Sequence, residues 1–200
     1  ESMFLAGKKA NELNHKVLLD PVGVGASSLR TNTALQLINE IHFDVIRGNI
    51  SEIKALSGAK ANTKGVDASS LDEVTQANLD DAVAFMKELA SKNNCIVAAT
   101  GKYDLVADSS TCYVIKNGIA KMEKITGTGC QLSGIITSFI SANPDCVLQA
   151  TAAAICLMGL AGEIAFDKND GNATYRNKII DAIYNMSPSD LAKGAKYEIR

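Results

Sequence analysis

The chain has 200 residues, 46% hydrophobic and 21% charged, with a formal net charge of −2. That balance describes a globular domain with enough apolar residues for a sizeable core. With no Lys/Arg run, it argues against a nucleic-acid partner or a membrane surface. The five cysteines, Cys95, Cys112, Cys130, Cys146 and Cys156, lack a C-x-x-C spacing, so neither a zinc site nor a disulfide framework is expected and a cytoplasmic location is favoured.

Met3–Leu13 reads as a helix already under way, with Met3, Phe4, Ala6, Ala10 and Leu13 on its apolar side. No charged leader followed by an apolar stretch precedes it, and the chain is expected to begin inside a domain. Lys16–Leu19 is a short apolar run, the mark of a buried parallel strand. It ends in Asp20-Pro21-Val22-Gly23-Val24-Gly25-Ala26, which puts Asp20 at the strand's C-terminal edge, where open α/β sheets bind their ligands. An Asp there also suits a turn. His15 and His42 flank strand-like runs and read as structural.

Thr31–Ile41 follows as a helix with Ala34, Leu35, Leu37, Ile38 and Ile41 inward, and Phe43–Ile46 as a second buried strand. Asn49 and Glu52 have the spacing of a capping box ahead of a helix Ile50–Leu56. Glu52 is thus either committed to that helix start or a carboxylate at the sheet edge beside Asp20, with Arg47 on the same rim. Two carboxylates and an Arg there would suit Mg²⁺ and nucleotide phosphates.

Gly58–Ser70 is a polar loop, and Leu71–Lys92 is the longest helical pattern, stopped by Asn93-Asn94. Cys95–Ala99 is a third buried strand ending in Thr100-Gly101. Lys102–Asp108 and Thr111–Lys116 alternate as a hairpin does. Ile119–Ile125 is expected as a strand feeding Thr126-Gly127-Thr128-Gly129-Cys130, after which the chain is expected to be helical: Gln131–Ser141, Val147–Phe166, Thr174–Met186 and Ser189–Lys193. Ala150–Ala165, at about 16 residues, is short for a membrane span and reads as a packed central helix.

A glycine turn entering a helix aims free backbone N–H groups and the positive dipole end at one point, an anion site. Cys130 falls in the first turn, where a thiol pKa tends to drop, or it is a small apolar filler. Alternating strands and helices followed by a helical last third indicate a single α/β domain, three layers deep, with a mainly parallel sheet. Asp20, Arg47/Glu52, Thr100 and Gly127–Cys130 all fall at strand ends. One such feature is noise; four make a candidate site.

Leu18-Leu19-Asp20-Pro21-Val22-Gly23-Val24-Gly25-Ala26, Arg47-Gly48-Asn49-x-x-Glu52, Gly65-Val66-Asp67, Thr100-Gly101-x-x-Asp104 and Thr126-Gly127-Thr128-Gly129-Cys130 together resemble the hydroxyethylthiazole kinase family, in order and spacing, across almost the whole chain. The resemblance implies a ribokinase-like fold and ATP-dependent phosphorylation of the primary alcohol of 4-methyl-5-(2-hydroxyethyl)thiazole in thiamine salvage, with Mg²⁺. It implies that Arg47 and Thr100 contact ATP, that Asp20 and Glu52 hold Mg²⁺, and that Gly127 and Cys130 meet the substrate. Gly127, Thr128, Gly129 and Cys130 would form the catalytic turn, with Cys130 where wider relatives place an Asp base. It further implies a homotrimer with the active site at the subunit interface. Family members extend further at the N-terminus, so the 200 residues are expected to lack that part. A kinase for another small alcohol, such as hydroxymethylpyrimidine, and a non-catalytic fragment are the competing readings.

Overall fold

The apolar runs of the first half become strands that step across the sheet in one direction. The computed structural model describes residues 1–58 and 72–200; the Gly65-Val66-Asp67 motif and most of the expected 58–70 loop lie outside them. The chain divides into two units, Glu1–Tyr113 with Arg200, and Val114–Ile199.

In the first unit, β1 (Leu18–Leu19) pairs in parallel with β2 (Val45–Asn49), and β2 in parallel with β3 (Ile96–Thr100). β4 (Asp104–Ala107) then runs antiparallel to β3. The sheet is therefore mixed rather than mainly parallel, because the connection from Thr100 to Asp104 is too short for a crossover and permits only an antiparallel return. Val45, Ile46, Val97, Ala98, Leu105 and Val106 are all buried, as strands covered on both faces require.

The helices of this unit are α1 (Ser2–Glu12), α2 (Ser28–Glu40), α3 (Ile50–Leu56) and α4 (Leu79–Asn93). Both crossovers, β1 to β2 and β2 to β3, step the same way, so right-handed connection puts α2, α3 and α4 on one face. Ala34, Leu37 and Ile41 turn inward as expected, but Leu35 is 40% exposed. The helix expected from Leu71 starts only at Leu79. Ahead of it the Asn78 side chain accepts from Thr75 N at 2.7 Å and donates to Glu73 O at 3.1 Å, closing a turn in place of the helix's first two turns. Val74 is buried there without being helical. Asn94 ends α4 in the left-handed region at φ 47°, the stop its sequence indicates.

β5 (Cys112–Ile115) begins in the first unit and continues into the second. Beside it lies β6 (Tyr197–Ile199): Cys112 and Arg200 exchange both backbone bonds at 2.8 Å, and Lys116 N donates to Lys196 O at 2.8 Å. The chain is thus not helical to its end. In the second unit, Ile119–Ile125 is not a strand either. Ala120–Lys124 forms a 3₁₀ turn, with Met122 N bonded to Ile119 O and Ile125 N to Met122 O. Ile119, Met122 and Ile125 recur every third residue, the 3₁₀ period, and not every second.

The helical part matches its pattern closely: α5 (Thr128–Ala142), α6 (Val147–Ala165), α7 (Asn172–Asn185) and α8 (Pro188–Gly194). α6 is the core, packed by α5, α7 and α8. By length and composition it could cross a membrane, yet 72% of its apolar window is buried inside the protein.

Candidate active site

Strand register alone brings three of the sequence-selected residues to one edge. Leu19 pairs with Ile46, so Asp20 emerges level with Arg47; Arg47 lies opposite Ala98, and Asn49 opposite Thr100. Arg47 and Thr100 share a sheet face, because residues at even separation in register point the same way. The Arg47 guanidinium spans the edge. One terminal nitrogen donates to Asp20 Oδ2 at 3.2 Å and the other to Thr100 Oγ1 at 3.1 Å. The Thr100 hydroxyl in turn donates to Gly48 O at 3.3 Å. The Asp20–Arg47 pair is largely buried, with side chains 17% and 11% exposed. Arg47 Nε is buried and has no hydrogen-bond partner within the protein.

Glu52 does both things its sequence position allows. The capping box is complete: Asn49 Oδ1 accepts Glu52 N at 2.8 Å, and Glu52 Oε2 accepts Asn49 N at 2.9 Å. Its other oxygen accepts the Gly23 N–H at 2.8 Å, tying the Asp20–Ala26 turn to the start of α3. Gly23 has φ 77°, a conformation that glycine adopts without strain. Burial raises the Glu52 pKa above its ordinary value; the Gly23 and Asn49 amides and the Arg47 charge oppose the rise, and the Asp20 charge adds to it.

Asp104 belongs to this cluster, although its motif alone assigned it no role. Its Oδ1 accepts the Gly101 N–H at 2.9 Å, across the turn joining β3 to β4. The residue is half-buried while its carboxyl sits in dense protein, which pushes its pKa up to about 7 against the pull of Gly101 and Arg47. Asp20 bonds the Arg47 guanidinium directly, and Glu52 and Asp104 both lie within reach of its charge.

These donors suit Mg²⁺. The ion is a hard cation that binds through one or two carboxylates and otherwise keeps water and phosphate oxygens. Each Glu52 oxygen already accepts one amide, which orients the carboxylate and leaves further lone pairs on it. Glu52 and Asp20 would then hold the ion in part through water. Among the described residues, no cluster of three His, Cys, Asp or Glu forms a closed metal cage.

The second unit carries Gly127, Thr128, Gly129 and Cys130. Gly127 is the N-cap of α5 in the left-handed region at φ 95°, and no side chain caps the helix. The first intrahelical bond is Gln131 N to Gly127 O at 3.0 Å. The N–H groups of Thr128, Gly129 and Cys130 precede it and point past the helix end. Thr128 Oγ1 bonds back to Ile125 O at 3.3 Å, and Cys130, in the first turn as its position predicts, is exposed.

Comparison with known proteins points the same way. The profile of the hydroxyethylthiazole kinase family matches residues 1–189. A hydroxyethylthiazole kinase of Clostridium acetobutylicum is 51% identical over 201 residues, covering 99% of this chain and 74% of that protein. The hydroxyethylthiazole kinase structure from Pyrococcus horikoshii OT3 superposes with a TM-score of 0.84 at 29% identity, over 100% of this chain and 71% of that one. A pyridoxal kinase of Bacillus subtilis shares the fold alone, with a TM-score of 0.56 at 23% identity over 82% of this chain and 61% of that one.

Proposed function

Because the chain belongs to the hydroxyethylthiazole kinase family, we propose that it transfers the γ-phosphoryl group of ATP to the primary hydroxyl of 4-methyl-5-(2-hydroxyethyl)thiazole. The observation that carries this reading is the Arg47 guanidinium stretched between Asp20 and Thr100 at the C-terminal edge of the sheet. A fixed cation at that edge suits polyphosphate, and it lies beside two carboxylates able to hold Mg²⁺.

Arg47 and Thr100 bind ATP in this account, and Asp20 and Glu52 hold Mg²⁺, which would neutralise charge on the phosphates. Gly127, Thr128, Gly129 and Cys130 serve the transferring group and the substrate alcohol. Phosphoryl transfer has a loose transition state, so positioning and charge stabilisation dominate. Backbone amides preorganised at a helix N-terminus supply that without moving, and one such donor can be worth about 3 kcal/mol. The Cys130 thiol orients the alcohol and assists its deprotonation modestly.

We extend the proposal to the assembly and the compartment. Residues 1–200 act as one kinase domain. It works as a homotrimer in which a neighbouring subunit completes the thiazole pocket, and it works in the cytoplasm. The free thiols of Cys95, Cys112, Cys130, Cys146 and Cys156 fit a reducing compartment. Light scattering of the purified chain tests the trimer, and an ATP-coupled assay with the thiazole alcohol tests the activity. Turnover of hydroxymethylpyrimidine in its place would move the chain to the competing small-alcohol kinase.

A further inference from the structure

We propose that Asp104 is a positioning residue for nucleotide binding, holding Thr100, and through it Arg47, by closing the turn that follows β3. The inference rests on the reading of Arg47 and Thr100 as ATP contacts and adds a residue that touches neither nucleotide nor metal.

The geometry runs in one line. Thr100 is the last residue of β3 and Asp104 the first of β4. Ala99 pairs with Leu105, so the antiparallel ladder brings Asp104 opposite Thr100. Between them lie only Gly101, Lys102 and Tyr103. The Asp104 carboxylate reaches back to the Gly101 N–H at 2.9 Å, fixing the residue next to Thr100. Thr100 Oγ1 then has one orientation, accepting from Arg47 at 3.1 Å and donating to Gly48 O at 3.3 Å. Without the Asp104 acceptor, the Gly101 amide has no fixed partner at the start of the turn, and the hydroxyl that seats Arg47 loses its support.

The choice of a carboxylate also has a reason. A carboxyl in dense protein is costly, and burial duly raises its pKa. An amide or hydroxyl would close the same turn at lower cost. In its ionised form Asp104 also attracts the Arg47 charge, a smaller contribution than the turn it closes.

The test is calorimetric titration of the full 200-residue chain with MgATP, for wild type, Asp104→Ala and Asp104→Asn, with steady-state kinetics alongside. Asp104→Ala should weaken MgATP binding and raise KM for ATP by about tenfold, while KM for the thiazole alcohol stays within about twofold. Asp104→Asn keeps an oxygen for the Gly101 amide and should recover most of the affinity. Equal affinity of Asp104→Ala and wild type would overturn the inference and leave the ATP reading standing. So would an equal rise in both KM values. A wild type that does not bind MgATP overturns both. If Asp104→Ala does not fold, Asp104→Asn decides: affinity retained with a protected Gly101 amide in hydrogen exchange supports the role, and affinity lost with that amide still protected overturns it.

Discussion

Glu52 and Gly23 lie 29 residues apart, yet the Glu52 carboxylate accepts the Gly23 amide at 2.8 Å inside the protein. The same carboxylate closes the capping box of α3. One side chain thereby sets both the turn after Asp20 and the helix after Arg47, the two segments that frame the candidate nucleotide edge.

Glu52→Ala should therefore cost both fold and activity. It strands the buried Gly23 amide and the half-buried Asn49 amide, worth about 1–3 kcal/mol each when left unsatisfied in the interior. The expected result is a loss of about 2–4 kcal/mol in urea unfolding. Glu52→Gln should recover only part of it, since its amide nitrogen would face one of the two donors.

This residue also shows what was legible in the chain. Asn49-x-x-Glu52 predicted α3 to its observed ends, because a capping box is a local signal. Asp20, Arg47 and Thr100 were legible as a group because each follows or ends an apolar run that reads as a parallel strand, and neighbouring parallel strands share one C-terminal edge. The Ala120–Lys124 turn was not, because a seven-residue stretch is too short for its period to decide between strand and 3₁₀ turn, and Met122 packing against Gly162 of α6 is a distant contact. β6 was hidden for a different reason. Tyr197–Ile199 is three residues long and half-exposed, and only its distant pairing with β5 makes it a strand. Asp104 sat in a motif whose role needed the β3–β4 register to be seen.

Asp104→Asn should flatten the pH dependence of stability. Burial lifts the Asp104 carboxyl from an ordinary 3.8 to about 7, so between about pH 4 and 7 the folded chain binds a proton that the unfolded chain has lost. Wild-type stability should fall as pH rises through that window and level off above it. The Asn variant escapes this loss. Its advantage should be nil near pH 4 and on the order of 1 kcal/mol above pH 7, after allowance for screening at a half-buried site. Thermal melts of both proteins from pH 4 to pH 8.5 check this, and parallel curves would contradict it.

Gly162→Ala should disturb the approach to the glycine turn from within the second unit. A Cβ at Gly162 would fall 2.2 Å from Met122 Sδ, and Met122 sits in the 3₁₀ turn that leads to Gly127. Overpacking of this kind costs about 1–3 kcal/mol. Met122→Ala in the same chain should relieve the clash, so the double variant should lose less stability than the two single losses added together.

Gly127→Ala and Cys130→Ala separate backbone from thiol. Alanine at φ 95° is strained, and a displaced turn would misdirect the amides of Thr128, Gly129 and Cys130. The expected fall in kcat is about 10²–10³-fold. Cys130→Ala should cost about 10²-fold, the low end of general-base assistance, with KM for ATP unchanged. Abolished turnover in Cys130→Ala, or a raised kcat in Cys130→Asp, would give the thiol the leading part.

The most direct measurement is product formation by the purified 200-residue chain with MgATP and 4-methyl-5-(2-hydroxyethyl)thiazole, followed by phosphorus NMR, with hydroxymethylpyrimidine as the competing alcohol. The account predicts a new phosphomonoester of the thiazole alcohol that requires both ATP and Mg²⁺, with little product from the pyrimidine. Phosphorylation of the pyrimidine alone, or nucleotide binding without transfer to either alcohol, would contradict it.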